Sequence, residues 1–111
     1  MIPPSLHSLL GLCQRAGKLV SGDLAAEQAL RRRRADLVLL ATDASERTRE
    51  KFIHLAAQAG TPCYSVGTRE ALGSAVGKAG RAVIVIQSRD FTNGMIGILE
   101  REGLAPLTGR G

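Results

Sequence analysis

The chain alternates between segments in which apolar residues recur every three or four positions and short runs that are apolar throughout. The first segment begins at Pro4 and Ser5, and its spacing places four apolar side chains on one helical face: Leu6, Leu9, Leu10 and Cys13. Gly17 follows at the position where glycine commonly ends a helix. The spacing therefore predicts a first helix that ends shortly before Gly17.

Four further helices are predicted from the same spacing. The second runs from about Asp23 to Arg33, and the third begins between Asp43 and Glu46. Thr68 precedes a short fourth helix, and a last helix follows the run RAVIVI. Their apolar faces consist of these residues: Leu24, Ala26, Ala29 and Leu30; Phe52, Leu55, Ala56 and Ala59; Leu72 and Ala75; Phe91, Met95, Ile98 and Leu99.

Strand-like runs lie between these helices. A short strand is expected near Leu19 to Ser21, and the others are ADLVLLA, GTPCYSV and RAVIVI. Continuous apolar runs are typical of strands that helices cover on both faces, and alternation of strands with helices favours a parallel sheet. We predict an α/β fold, a three-layer α/β/α sandwich with a mixed, mostly parallel central sheet, in a single domain over residues 1–103. The tail at 104–111 has no periodicity and is expected to be disordered.

Composition limits the size of the domain and the class of its partner. The chain has 111 residues and a hydrophobic fraction of 44%, which is enough for one ordinary core. Fifteen Lys and Arg against ten Asp and Glu give a net charge of +5, which favours a polyanion, an acidic protein or an anionic surface as partner. Because the sequence has neither an apolar run of about 18 to 20 residues nor a signal-peptide start, we expect a cytoplasmic protein with no membrane partner.

Residues with catalytic or metal-binding chemistry form no recognisable motif. Cys13 and Cys63 have no CxxC or histidine partner at metal spacing, so we expect buried thiols with neither a disulfide nor a metal. Neither histidine has a triad partner. Asp43 and Asp90 follow buried strands, but each precedes a helix that it can cap. No phosphate-loop or dinucleotide motif is present. The sequence thus predicts a non-catalytic protein with no cofactor, metal or small-molecule substrate.

The stretch from 18 to 42, KLVSGDLAAEQALRRRRADLVLLAT, contains the strongest candidate for a binding site. Gly22 allows close approach of the backbone, and the first amides of the second helix then form an anion site that the helix dipole supports. The alternative is that Gly22 only eases a turn between strand and helix. Arg31 to Arg34 follow at the other end of this helix, where they either contact a ligand, at most two at a time, or form a solvated basic cluster.

Aromatic residues are scarce, which limits how the chain can bind RNA. Trp is absent, and the aromatics are Tyr64, Phe52 and Phe91. Both phenylalanines belong to predicted helix faces, which leaves Tyr64 on a strand as the remaining candidate for base stacking. Any RNA contact is therefore expected from backbone amides, Arg and Lys side chains, and shape.

Four segments in order carry a resemblance to a known family: GLCQRAGKLVSG, ADLVLLATDAS, GTPCYSVGTREALGSAVGK and RAVIVI. Over about residues 5 to 100 the chain resembles the ribosomal-protein superfamily that includes kink-turn RNA binders, in particular its small bacterial YlxQ-type branch. The motifs are the glycine before the second helix, the strand that leads into DAS, and the loop with Leu72 and Gly73. The resemblance implies an α/β/α sandwich that binds structured RNA, including ribosomal RNA, without catalysis.

The resemblance also implies which residues contact RNA. In kink-turn binders the start of the second helix and the loop before the fourth helix form one RNA surface. Carried over to this chain, that surface comprises Ser21, Gly22, Asp23, Leu24, Ala25 and Gln28 together with Val66, Gly67, Thr68 and Arg69. Arg32 or its neighbours would add general attraction for the RNA.

Four positions depart from the kink-turn pattern. A lysine before the glycine, an Asn-Glu pair after it and a further lysine along the helix are replaced by Ser21, Leu24, Ala25 and Gln28. Leu24 and Ala25 cannot make the bidentate polar contacts that identify base edges. The resemblance therefore implies the fold and the RNA class more strongly than kink-turn specificity.

Two other functions stay open. A protein-interaction module of this superfamily would present an exposed acidic or apolar face, which the net charge of +5 disfavours. An accessory RNA-recognition subunit of an RNA-modifying enzyme is the other alternative, since the chain is too short to contain a methyltransferase domain with its cofactor site.

Overall fold

A computed structural model describes residues 2–108, and within this range it contains five helices and a four-stranded sheet. In chain order the elements are α1 (Pro4–Arg15), β1 (Leu19–Ser21), α2 (Asp23–Arg31), β2 (Leu37–Leu40), α3 (Glu46–Ala59), β3 (Cys63–Ser65), α4 (Arg69–Ala75), β4 (Val83–Ile86) and α5 (Arg89–Arg101). Every predicted element is present, and the predicted α/β sandwich is confirmed. No helix within residues 2–108 combines the length and apolar character needed to cross a membrane.

The directions of the strands correct the prediction of a mostly parallel sheet. The strand order is β1-β4-β2-β3; β4 pairs antiparallel with both β1 and β2, and only β2 and β3 pair in parallel. The reason is the connection through α4, after which the chain doubles back. The Arg81 N–H donates to the Arg69 carbonyl at the start of that helix, at 3.0 Å. As a result, β4 begins at the edge of the sheet where β3 ends.

Helices cover both faces of the sheet, which explains the apolar runs of β2 and β4. On one face α1, α4 and α5 form a first core that includes Leu6, Leu72 and Met95, and on the other α2 and α3 form a second core around Leu30 and Phe52. Every position of β2 and β4 is buried. Their residues point alternately into the two cores: Leu37, Leu39, Ile84 and Ile86 into the first, and Val38, Leu40, Val83 and Val85 into the second.

The two cysteines lie in different cores, on opposite faces of the sheet. Both are free and buried, Cys13 in the first core and Cys63 in the second. Burial raises the pKa of the Cys13 thiol to about 11 and that of Cys63 to about 12, although nearby basic side chains oppose this. Both thiols are therefore protonated at neutral pH. Within residues 2–108, no three His, Cys, Asp or Glu side chains are grouped so that they could hold a metal ion.

Serine side chains, rather than the predicted aspartates, cap the helices that follow β2 and β4. The hydroxyls of Ser45 and Ser88 each accept a hydrogen bond from a backbone N–H three residues later, at 3.1 and 3.2 Å. The prediction that Asp43 and Asp90 cap these helices is wrong, because Asp43 lies outside the N-cap of α3 and Asp90 lies inside the first turn of α5. The Asp43 carboxylate instead accepts the backbone N–H of Arg69, at the start of α4, at 2.8 Å.

The chain after α5 differs from the expected disordered tail in the part that the structure describes. Leu104 packs against the first core. The Leu107 N–H donates to the Cys63 carbonyl at 2.6 Å, and the Cys63 N–H donates to the Thr108 carbonyl at 3.1 Å. These bonds satisfy backbone groups on the outer edge of β3. The expected disorder of residues 109–111 concerns positions outside the described residues.

Each helix within residues 2–108 is followed by a residue with positive φ, which is glycine after every helix except α2. The glycines are Gly17, Gly60, Gly77 and Gly103. After α2 the residue is Arg33, with φ of 58°. Its N–H donates to the Leu30 carbonyl at 3.2 Å, and the Arg34 N–H donates to the Ala29 carbonyl at 2.8 Å, as in a Schellman motif. Arg33 thus adopts a conformation that costs a residue with a side chain about 1 to 2 kcal/mol.

Substitutions at Arg33 test this strain. Arg33→Ala and Arg33→Gly both remove the guanidinium, which donates to the Ala59 carbonyl at 3.3 Å, but only glycine relieves the left-handed backbone. We expect the glycine variant to exceed the alanine variant by about 1 kcal/mol in the free energy of unfolding, measured by urea denaturation. The same pair of substitutions at Arg32, where φ is −89°, is the control and should show the opposite order. Equal stabilities of the two variants at position 33 would contradict the strain.

Candidate nucleic-acid interface

The two segments assigned to RNA contact by resemblance lie at the same edge of the sheet. Because β4 runs antiparallel to β1 and β2, and β3 runs parallel to β2, three strands end at this edge and β4 begins there. The Thr42 N–H donates to the Gly67 carbonyl at 2.7 Å and holds the loop before α4 against the end of β2. We call this edge, formed by residues 21–25, 42–43, 67–69 and 79–82, the glycine edge.

Gly22 holds a backbone conformation that other residues rarely adopt. Its φ is 95° and its ψ is 160°, a region that is essentially confined to glycine. Its N–H donates to the Val83 carbonyl and its carbonyl accepts the Ala26 N–H, both at 3.0 Å. α2 has no side-chain cap, so the N–H groups of residues 23–25 have no intrahelical partner. Together with the helix dipole, these amides form a favourable position for an anion.

Arg81 connects the two predicted segments, although the sequence analysis missed it. Its Nε donates to the Ser21 hydroxyl at 3.2 Å, and its Nη1 donates to the carbonyls of Ala79 and Gly80 at 3.3 and 3.1 Å. A Cβ atom placed on Gly22 would lie 4.0 Å from Arg81 Nε. The guanidinium is therefore fixed beside Gly22, the residue that precedes α2. In the sequence Arg81 only precedes a strand, and no local pattern shows that it reaches Ser21.

Thr68 and Arg69 begin α4 on the other side of the glycine edge. The Thr68 hydroxyl accepts the Ala71 N–H at 3.1 Å, so Thr68 is the N-cap of α4. Asp43, which accepts the Arg69 N–H, also places a carboxylate oxygen 3.9 Å from Arg69 Nε. The Arg69 side chain is 60% exposed, so this ion pair is weak and the guanidinium remains accessible to a ligand.

Two residues of the predicted surface are buried. Val66 belongs to the first core and is 5% exposed. Gly67 has φ of 72° and lies so close to Ile2 that a Cβ atom would clash with the isoleucine Cγ2. The Gly67 carbonyl accepts hydrogen bonds from both the N–H and the hydroxyl of Thr42, at 2.7 and 3.1 Å. Val66 and Gly67 therefore support the loop, and their side-chain positions do not face a ligand.

Leu24 is exposed, which corrects its predicted place in the apolar face of α2. Its exposed fraction is 69%, the largest among the big apolar side chains within residues 2–108. Because successive helical residues are about 100° apart, Leu24 lies roughly 200° around the helix from buried Ala26. Ala25 and Gln28, by contrast, line a shallow groove together with Val20 of β1. The start of α2 thus presents one apolar and one amide side chain near the free amides.

Charges near the start of α2 neutralise one another. Lys51 Nζ of α3 lies 2.6 Å from the Asp23 carboxylate and 2.8 Å from that of Glu27, and Glu27 also pairs with Arg31 at 2.9 Å. Hydrogen bonds from Lys51 and Arg31 lower the pKa of Glu27, and hydrogen bonds to Asp23 and Glu27 raise the pKa of Lys51. The carboxylate of Asp23 is thus balanced by a lysine and adds no net negative charge to the glycine edge.

Arg32 lies at the opposite end of α2, about 15 Å from Gly22 along the helix. Its side chain is exposed and lines the same shallow groove as Ala25 and Gln28. The structure therefore does not place Arg32 at the glycine edge. The shallow groove extends from Ala25, which belongs to the glycine edge, to Arg32.

The aromatic residues offer no exposed platform for base stacking. Phe52 and Tyr64 are buried, and Phe91 is partly buried against the first core. The glycine edge therefore offers backbone amides, hydroxyls and guanidinium groups as its binding chemistry.

Comparison with known sequences gives one family and two similar relatives. The model of the ribosomal protein L7Ae/L30e/S12e/Gadd45 family matches residues 5–93. The RNA-binding protein YlxQ of Bacillus subtilis is 38% identical over 92 residues, which cover 83% of this chain and 92% of that protein. The RNA-binding protein YlxQ of Enterococcus faecium is 32% identical over 71 residues, which cover 64% of this chain and 69% of the relative.

Solved structures share the fold. A protein with unknown function from Bacillus halodurans superposes with a TM-score of 0.84 and 31% identity, over 88% of this chain and 99% of that one. The Giardia lamblia 15.5kD RNA binding protein superposes with a TM-score of 0.74 and 22% identity, over 86% of this chain and 82% of that one, and this likeness shows the fold alone. Because the family match spans most of the residues and the Bacillus subtilis relative is 38% identical, the chain belongs to the ribosomal protein L7Ae/L30e/S12e/Gadd45 family and to its YlxQ branch.

Proposed function

We propose that this protein binds structured RNA at the glycine edge, mainly through phosphate groups. The observation that carries the proposal is the meeting of the free α2 amides with the Arg81 and Arg69 guanidinium groups at one edge. Phosphate oxygens accept hydrogen bonds from both kinds of donor. RNA as the source of the phosphates is supported by the YlxQ relatives, both described as RNA-binding proteins.

The contacts that hold the glycine edge favour recognition by a rigid surface, and we propose that this role is non-catalytic. The Gly22 amide is bonded to β4, and Arg81 is bonded to Ser21 and to its own loop. Donors that are already fixed lose little conformational entropy when a ligand binds. We therefore propose that the protein recognises and stabilises one shape of an RNA, and ribosomal RNA is the first class to examine.

The first consequence of phosphate recognition is a dependence of RNA affinity on salt. For about three to five phosphate contacts, the logarithm of the binding constant should fall with the logarithm of salt concentration with a slope of about −2 to −4. Fluorescence anisotropy with a labelled kink-turn RNA, repeated across a series of potassium chloride concentrations, measures this slope. A flat dependence, or no binding at low ionic strength, would rule out the proposal.

Paired substitutions at Gly22 separate the anion site from backbone strain. Gly22→Ala and Gly22→Asp both place a side chain on a backbone with φ of 95°, so both should lower the free energy of unfolding by about 1 to 3 kcal/mol. Only Gly22→Asp adds a carboxylate beside the free amides and Arg81. We expect it to bind RNA more weakly than Gly22→Ala by a further 1 to 3 kcal/mol, roughly 5- to 150-fold in affinity.

Both variants are first shown to be folded by circular dichroism, and RNA affinity is then measured at one salt concentration. His7→Ala, an exposed position on α1, is the control and should bind like the wild type. Equal RNA affinities of the folded alanine and aspartate variants would mean that RNA does not occupy the α2 amides.

Discrimination between a standard kink-turn and a plain duplex of equal length should be weak, within about tenfold. Each good bidentate base contact contributes roughly 1 to 3 kcal/mol of discrimination, and Leu24 and Ala25 can make none. The measurement is competitive binding of the two RNAs at one salt concentration. Leu24→Asn combined with Ala25→Glu should raise the preference, and the 69% exposure of Leu24 makes that position tolerant of a polar residue. A wild-type preference above about 100-fold, roughly 2.7 kcal/mol, would contradict this expectation.

A further inference from the structure

The two ends of α2 differ in how their charges are balanced. At the glycine edge, Asp43 lies near Arg69 and Asp23 pairs with Lys51, while Arg81 forms no salt bridge with any of residues 2–108. At the C-terminal end of α2, the exposed side chains of Arg32 and Arg34 form no salt bridge with any of residues 2–108, and neither does that of Lys18. More unpaired positive charge therefore lies at the end of α2 that is distant from Gly22 than at the glycine edge.

A groove along the open edge of the sheet connects these two ends. It lies between α2 and β1, the outermost strand on this side of the sheet, and is lined by Gln28, Arg32, Arg34 and Gln87. A second depression shares Arg34 and Gln87 and continues to Lys18. Asp36 is the acidic residue in its lining. We call this continuous surface the basic groove.

The local backbone places the basic side chains of the groove. Lys18 and Arg34 are equivalent positions of two helix ends, because the Lys18 N–H donates to the Cys13 carbonyl at 3.0 Å just as the Arg34 N–H donates to the Ala29 carbonyl at 2.8 Å. Between α2 and Arg34, the strained Arg33 occupies a position where the other helices have glycine, and it also lines the groove. The Arg33 guanidinium itself donates to the Ala59 carbonyl at the end of α3, so the charges assigned to the groove are those of Arg32, Arg34 and Lys18.

We propose that a single strand of the bound RNA leaves the glycine edge and continues along the basic groove, where Arg32, Arg34 and Lys18 contact its phosphates. This inference rests on the proposed function. The distance from Gly22 to Arg32 along α2, about 15 Å, corresponds to about four phosphates at roughly 3.4 Å per nucleotide of a stacked strand. The aromatic side chains lie in or against the cores, so the groove holds the strand by its backbone and not by base stacking.

Three double variants of the full chain test the groove. Arg32→Gln with Arg34→Gln removes two charges from exposed positions, and Arg32→Lys with Arg34→Lys keeps them. Arg15→Gln with Arg101→Gln is the matched control, since it removes the same charge from α1 and α5 on the other face of the sheet. The probes are a kink-turn RNA with blunt ends and the same RNA with six-nucleotide uridine extensions at both strand ends.

On the extended RNA, the groove glutamine variant should reduce the magnitude of the salt slope by about 1.4, which is about 0.7 for each of two single-strand phosphates. The lysine variant and the control should keep the wild-type slope. On the blunt RNA, the glutamine variant should change the slope much less, because no strand reaches the groove.

The outcomes separate this proposal from the proposed function. If the wild type binds and Arg69→Glu weakens binding, but the groove glutamine variant keeps the wild-type slope on the extended RNA, the groove proposal is overturned and RNA binding at the glycine edge stands. Those arginines would then fit an acidic protein better. A control variant that loses as much slope as the groove variant overturns the proposal as well, since net charge alone would explain the result. If the wild type binds neither RNA at low salt, the proposed function itself fails.

Discussion

The antiparallel placement of β4 between β1 and β2 is the constraint on which the rest of the molecule depends. Because β4 begins where the other strands end, Gly22 can donate to Val83, and Arg81 can reach Ser21. The return of the chain after α4 is possible only because Gly73 has no side chain, since a Cβ atom there would clash with the Ala79 carbonyl oxygen. Gly73 of α4 thus determines the position at which Arg81 lies beside the start of α2.

Stability and binding chemistry are divided between different parts of the same loops. Val66 and Gly67 are buried and fix the loop before α4 through Ile2 and Thr42, while the neighbouring Arg69 side chain is exposed. A fixed backbone beside exposed donors is the arrangement that gives preorganised binding. Arg33 differs from this arrangement. Its left-handed backbone lowers the stability of the fold, and a basic side chain is present there in place of glycine.

This chain has the family fold, and the start of α2 presents few polar side chains that could recognise bases. An exposed leucine and an alanine stand at the start of α2, and the free amides, Arg81 and Arg69 lie at the same edge of the sheet. The recognition by backbone donors and shape that we propose would suit an RNA whose folded form, more than its base sequence, is constant.

The sequence predicted those features of the fold that depend on interactions between residues close together in the chain. Periodicity, capping residues and continuous apolar runs gave the order of helices and strands and the burial of β2 and β4 on both faces, because these signals act within one element or on its own two faces. The glycine and the free amides at the start of α2 indicated an anion site from the sequence alone, and the resemblance added the loop before α4 to that surface. The tertiary structure decided the strand directions, the hydrogen bond from the Arg69 N–H to Asp43, the burial of Val66 and the solvent exposure of Leu24. The tertiary structure also decided the hydrogen bond from Arg81 to Ser21 and the groove between α2 and β1. Each of these features brings together residues that are distant in the chain, and no local sequence pattern predicts such packing.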